Sequence, residues 1–321
     1  MSPKLLPAAL LALGLASAAQ AQNAWPDKPI RIIVPFTAGS FTDTAARAVG
    51  NELSTQLGQP IVVENRGGAG SMLGTDVVAK AAPDGYTFLL TDNSFPVSAA
   101  LYQKLPYRPF EDLMQVTLVA EAPAVMVGRP DLPTKTLKET LDRAKEQPDT
   151  LTFGSGGQGS SAHLAMEQLL LEAGVQAVHV PFKGVAAAMI EIAAGRVDVG
   201  IGSVGSTVQY IGDNRLLGLA ISGEQRHPMF PEVPTFAEAG YPEYDMMYRF
   251  GIMAPAGTPA EIVDRLQKGV AQALQNPRVQ ETFRSAGVEP KASTPAEYAK
   301  LTRDESETWK GVIQRANVKV D

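Results

Sequence analysis

The chain has no cysteine. That excludes disulfides, thiolate metal sites, a cysteine nucleophile and a lipid-modified cysteine as an anchor. Histidine is nearly as scarce. His163, His179 and His227 are the only three in 321 residues. They are far apart and lack short ligand spacing such as H-x-x-x-H, so no metal and no cofactor are expected. An excess of positive charge is missing too. Lys and Arg number 28 against 34 Asp and Glu, a formal net charge of −6, which makes nucleic acid a poor partner. Any anion held here must be held by local dipoles. No G-x-x-x-x-G-K-[ST] and no G-x-S-x-G occurs, so a P-loop and a hydrolase nucleophile elbow are absent. Gly154, Gly156 and Gly159 do satisfy G-x-G-x-x-G. A dinucleotide site also needs an acid about 20 residues further on, and His179-Val180-Pro181-Phe182-Lys183 offers none.

Long apolar runs are lacking after the first 15 residues. Lys4 gives a small basic start, Leu5 to Leu15 an apolar stretch, and Ala19-Gln20-Ala21 a small-x-small site. The stretch is short of the ~20 apolar residues of a membrane span. It predicts a signal peptide over residues 1–21, cut after Ala21, and a soluble periplasmic protein.

What is present is alternation. The length suits two domains. Ile30–Val34 reads as a strand stopped by Pro35, and Thr42 as the cap of a helix carrying Ala45, Ala46, Val49, Leu53 and Leu57 at 3.6 spacing. Strands follow at 61–64, 86–91 and 115–120, with a helix near 72–81. A second set has strands at 124–128, 151–153, 178–180, 197–201 and 216–222, and helices at 137–146, 162–173 and 186–194. Gly174 and Gly195 are the expected helix stops. Three helices, 260–275, 277–286 and 295–316, end the chain, each with a proline at or near its start. This rhythm predicts an α/β protein of βαβ units around mostly parallel sheet.

Each set holds a short strand, a Gly/Ser/Thr-rich turn and a helix. The turns are Thr37-Ala38-Gly39-Ser40-Phe41-Thr42 and Gly154-Ser155-Gly156-Gly157-Gln158-Gly159-Ser160-Ser161. Helix N-termini carry unpaired N–H groups and a positive dipole end, and hydroxyls add donors. Two such turns facing each other form an anion site without a formal cation. They are equally compatible with two ordinary well-capped βα turns. His163, in the first turn of its helix, is open to three roles: ligand donor, support for the loop, or structural histidine.

With these turns in view the chain resembles the extracytoplasmic receptors of tripartite tricarboxylate transporters, the Bug family. The likeness covers nearly all residues after the leader. It rests on Pro26-Asp27-Lys28-Pro29-Ile30, Ile33-Val34-Pro35-Phe36, Val62-Val63-Glu64-Asn65-Arg66 with Gly68-Ala69-Gly70, and Ala82-Pro83-Asp84-Gly85-Tyr86-Thr87. It continues through Leu105-Pro106-Tyr107, His179-Val180-Pro181-Phe182-Lys183-Gly184, Val233-Pro234-Thr235 and Ala254-Pro255-Ala256-Gly257-Thr258-Pro259. The resemblance implies a type II-like, two-lobed periplasmic binding protein with a ligand cleft and two crossing connections. Lobe 1 would be 22–122 plus 248–321, and lobe 2 would be 123–247. It implies a non-enzymatic monomer that binds a small carboxylate and docks on a membrane permease.

The residues expected at the ligand are Thr37, Gly39, Ser40 and Phe41 from the first turn, and Ser155, Gln158, Gly159 and Ser160 from the second. Thr91, Asn93, Ser94, Phe95, Phe182, Ser203 and Arg249 complete the set. Asp43 is expected to orient the first turn and His163 to stand behind the second. Several positions depart from the family pattern. The first turn usually runs Pro-Pro-Gly-Gly and here reads Thr37-Ala38-Gly39-Ser40. Members that bind amino acids often have Asp where this chain has Gly202, which argues against an ammonium partner. Arg249 stands where Trp is common and is suited to a second carboxylate. With Phe41 and Phe95 placed to sandwich a ring, the departures suggest a dicarboxylate, aromatic in the manner of terephthalate. Two other readings remain: a sensor using the same cleft, and a secreted hydrolase using Ser160 with His163.

Overall fold

The computed structural model describes residues 25–318. The expected signal peptide and its cleavage site lie outside the described residues. Among the described residues ten strands and ten α-helices follow one another, mostly in alternation. In the first half β1 (Ile30–Val34), β2 (Ile61–Asn65) and β3 (Thr87–Thr91) run parallel, joined by α1 (Phe41–Leu57) and α2 (Met72–Ala79). α3 (Ser94–Leu101) then leads to β4 (Leu113–Gly128). Strand β4 is one 16-residue strand, where the sequence suggested two. It begins beside β9 (Met247–Pro255) and changes partners after Pro123. From Ala124 on it lies between β7 (Val199–Ser203) and β8 (Leu217–Ile221). The second half adds α4 (Leu137–Glu146), β5 (Thr152–Ser155), α5 (Ser161–Ala173), β6 (Val178–Pro181), α6 (Val185–Ala193) and α7 (Val204–Gly212). The tail returns to the first half with α8 (Ala260–Ala273), α9 (Pro277–Ser285), the short β10 (Glu289–Pro290) and α10 (Pro295–Ala316).

The sheet is therefore mixed. Its order is β2-β1-β3-β9-β4-β7-β5-β6, with β8 and β10 also on β4, and both long strands β4 and β9 are antiparallel to their neighbours. Strand β9 was missed in the sequence because its residues are apolar without alternation. Side chains of successive strand residues point to opposite faces. Ile32 and Phe88 enter one core with α1 and α8, while Ile33 and Leu89 enter another with Val78, Phe95 and Tyr298. Both faces of β1 and β3 are thus covered, as parallel strands require. Each such Ile or Leu stabilises the fold by roughly 1.5–3 kcal/mol. This packing fixes the carboxyl ends of β1, β3 and β5 at the junction of the halves.

Candidate functional site

The two turns found in the sequence have the same construction. Helix α1 is capped by Ser40, whose Oγ accepts the Asp43 N–H at 3.2 Å. The cap is thus two residues earlier than the expected Thr42. Gly39 has φ +87°, and its N–H donates to Asp43 Oδ2 at 3.2 Å. Helix α5 is capped by Ser160, whose Oγ accepts the His163 N–H at 3.3 Å. Gly159 has φ +73°, and its N–H donates to His163 Nδ1 at 3.2 Å. In both turns a positive-φ glycine precedes the cap serine. A side chain three residues after the serine reaches back to that glycine's amide. Such reciprocal bonds fix a helix entry the way a capping box does.

Each supporting side chain is itself held. Asp43 Oδ1 accepts the Asn65 amide at 3.0 Å and pairs with Arg47 at 2.9 Å. Its burial opposes ionisation, but the bonds from Arg47, Asn65 and Gly39 win and hold its pKa below the usual carboxylate value. The His163 ring stacks on His179 at 4.0 Å, and His179 stacks on Phe153 at 4.7 Å. His179 Nε2 meets Ser155 Oγ at 2.6 Å. Burial, and next His163, push the His179 pKa down to about 3, so this imidazole is neutral.

The turn after β3 completes the site. Ser94 N–H donates to Asp92 Oδ1 at 2.8 Å, and Ser161 Oγ donates to Asp92 Oδ2 at 3.0 Å. Ser161 N–H donates to Ser94 Oγ at 3.0 Å, so the start of α5 is tied to the first half. Between the three turns lies a narrow cavity of about 20 Å³, room for about one water molecule. Ser40 and Thr42 line it from the first turn, and Gly156, Ser160 and Ser161 from the second. Asp92 and Ser94, then Ser203 and Ser206, add further polar groups, while Phe36, Val185, Tyr248 and Phe250 form the apolar walls.

Of the expected ligand residues, Ser40, Ser94, Ser160 and Ser203 line this cavity. The others do not. Thr37, Gly39 and Gly159 belong to the turns behind it. Thr91 is fully buried at the end of β3. Ser155 is engaged by His179 and by the Gly157 N–H at 3.1 Å. Gln158 is exposed, its carbonyl accepting Tyr102 Oη at 3.1 Å. Phe182 packs with Val180 and Val185 on the second-half core. Asn93 turns away, donating to the Met247 carbonyl at 3.2 Å and to Glu305 at 3.0 Å.

The two rings expected to clamp a ligand enter different cores. Phe41 packs edge-on against Phe250 at 4.8 Å and Phe283 at 5.4 Å, while Phe95 packs on Phe110 at 5.6 Å in a different core. Arg249 is not a spare cation. Its guanidinium bonds Glu121 at 3.1 Å and Glu305 more tightly. Sequence reasoning missed Tyr248 and did not single out Asp92, Ser161 or Ser206 as ligand residues, although the first two lie in turns it expected to line the cleft. Asp92 and Ser161 adjoin residues it did select. Tyr248 lies on the unrecognised β9.

Residues 45–318 match the family described as tripartite tricarboxylate transporter family receptor. The chain belongs to this receptor family. Among receptors and their relatives, the protein BugT of Bordetella pertussis is 37% identical over 309 residues, covering 96% of this chain and 94% of BugT. The solved structure of MatC from Rhodopseudomonas palustris with bound malate has a TM-score of 0.87 and 32% identity, covering 90% of this chain and 100% of that one. An R. palustris structure with adipate has a TM-score of 0.87 and 31% identity, covering 92% and 99%. The receptor fold is the two-lobed α/β binding-protein fold, and the receptors include carboxylate binders.

Proposed function

We propose that this chain is a periplasmic solute receptor that holds a small organic carboxylate between the Ser40 and Ser160 turns and presents it to a membrane permease. The observation that carries this reading is the convergence of two matched, serine-capped helix starts on one cavity with no basic side chain among its described lining residues. Dipole and hydroxyl donors replace a cation there. The malate and adipate held by relatives support the ligand class. Closure would bend β4 and β9, which pass between 22–122 plus 248–321 and 123–247. The finer expectation of an aromatic dicarboxylate loses its support, since Phe41, Phe95 and Arg249 are all committed elsewhere. The hydrolase reading fares no better: His163 Nδ1 is taken by the Gly159 amide, and Ser160 Oγ faces a backbone N–H rather than an imidazole base.

A thermal-shift series with mono-, di- and tricarboxylates tests the receptor. A ligand at 100 times its Kd stabilises by about 2.7 kcal/mol. That corresponds to a rise of roughly 4 °C in Tm for a chain of this size. Ser160→Ala should reduce the rise. A flat response to every acid would remove the reading.

A further inference from the structure

The cavity that would hold an anion contains a buried acid of its own. Asp92 lines it, and the described lining residues include no Lys, Arg or His. A plain carboxylate entering this space would place two negative charges in an apolar-walled cavity. Like charges in so dry a site strongly disfavour joint ionisation. Unless Asp92 takes up a proton, something positive has to accompany the guest.

Asp92 has the capacity to receive it. An ionised carboxylate offers about four lone-pair directions. Two well-formed bonds reach Asp92, from the Ser94 amide on Oδ1 and the Ser161 hydroxyl on Oδ2; the Ser94 hydroxyl and the Asp92 amide also approach the carboxylate without meeting hydrogen-bond geometry, so positions remain for a stronger, charged donor. Burial raises the Asp92 pKa, with the bonds from Ser94 and Ser161 opposing it and no basic group contributing. The titratable groups around it are Tyr248 on β9 and Tyr298 and Glu305 on α10, none of them a cation. Arg249, the neighbouring base, is committed to Glu305 and Glu121.

A second, independent observation points to the same place. The Tyr248 ring is buried and lines the cavity, yet its Oη has no hydrogen-bond partner among the described residues. It lies near the Ser161 hydroxyl without meeting hydrogen-bond geometry. An unpaired buried hydroxyl costs roughly 1–3 kcal/mol. A ligand group that donates to Oη, with Asp92 alongside, would remove that cost.

We infer that Asp92 and Tyr248 form an ammonium subsite, so that the natural guest is a small zwitterion whose carboxylate sits at the Ser40 and Ser160 turns and whose amino group sits between the Asp92 carboxylate and Tyr248 Oη. This inference rests on the carboxylate-receptor reading and narrows it. The acid comes from the turn after β3. The expectation drawn from Gly202 looked for it on β7.

The test is titration calorimetry on the full mature chain with matched sets of acids: the proteinogenic amino acids, their des-amino analogues and their 2-hydroxy analogues. The expected result is one or a few amino acids binding at least thirtyfold tighter than both analogues. That is the loss expected when a buried charged partner is left unpaired. Asp92→Asn should erase this preference, and Tyr248→Phe should narrow it, with the Tm of each ligand-free variant recorded to show that it folds. If Asp92→Asn does not fold, the Tyr248→Phe comparison and the wild-type ratios decide. A des-amino or hydroxy acid binding wild type as tightly as its amino counterpart, or binding with proton uptake, overturns the zwitterion subsite while leaving the carboxylate reading intact. Absence of binding by all three sets overturns both.

Discussion

Arg249 illustrates how a single side chain changes meaning once its neighbours are known. Its guanidinium holds together Glu121 and Glu305, and the Lys291 ammonium reaches Glu121 at 2.7 Å. Burial raises the Glu305 pKa to about 7, with Arg249 pulling the other way and Glu121 and Asp92 adding to the rise. Removing the base from such a cluster strands buried acids, at a cost of about 3–5 kcal/mol. Arg249 keeps 27% of its side-chain surface, which favours the lower end. Arg249→Ala is therefore expected to lower the urea midpoint while leaving the affinity ratio of mono- to dicarboxylates unchanged. A selective loss of dicarboxylate binding would restore the arginine to the ligand site.

Glu305 and His179 also make opposing contributions to the pH profile. The folded pKa of Glu305 lies above its unfolded value of 4.5, so its stabilising share is complete below pH 4.5 and is lost as pH rises to about 7. The folded pKa of His179 falls from 6.5 to about 3. The unfolded chain then binds the extra proton between these values, and stability rises with pH from about 3 to 6.5. The two trends oppose each other between 4.5 and 6.5, which hides both in the wild type. His179→Phe keeps a ring in the stack and removes the proton. Its stability profile should fall toward acid less steeply over pH 3–6.5. An unchanged slope would show that His179 is not held neutral.

At the scale of elements, the sequence was legible where a helix shows one apolar face to the core and carries its own start and stop signals. α4 and α10 were read to the residue: Thr136 and Thr294 cap them, and Thr294 with Glu297 completes a capping box. The two matched turns were visible for the same reason, since glycine, serine and helix start are local. Elements that meet the core on every side were not legible. α3 carries Pro96 and is buried over most of its surface, so it shows no polar stripe. β9 is nearly all apolar, which gives no period of two to detect. The wall residues Tyr248 and Phe250 were lost with it. Likewise, proximity of Phe41 and Phe95 to the right loops could not reveal which core each would enter. That depends on the direction of a side chain at a helix start, which spacing alone does not fix.

Across the whole molecule, the two halves meet backbone to backbone along the rim of the cavity. A Cβ at Gly67 would come within 3.0 Å of the Lys183 carbonyl, and one at Gly184 within 2.8 Å of Thr37 Oγ1. Gly70 is the tightest of these contacts: a Cβ there would overlap the Gln158 carbonyl oxygen and stand 2.9 Å from the Gly159 carbonyl carbon. Backbone on the far side cannot swing away as a flexible side chain would, so Gly70→Ala should hold the rims apart. Its own φ of +59° adds a local penalty, about 1–2 kcal/mol for a residue with a Cβ. Gly58, at φ +69° with open space around its Cβ position, bears the same local penalty without the contact. Gly70→Ala and Gly58→Ala should therefore lose similar stability when ligand-free, while only Gly70→Ala loses ligand affinity, by tenfold or more. Small-angle scattering should show wild type and Gly58→Ala contracting when ligand is added and Gly70→Ala staying extended. Equal affinities for the two variants would mean that the observed contact between the halves is not the arrangement that grips the ligand.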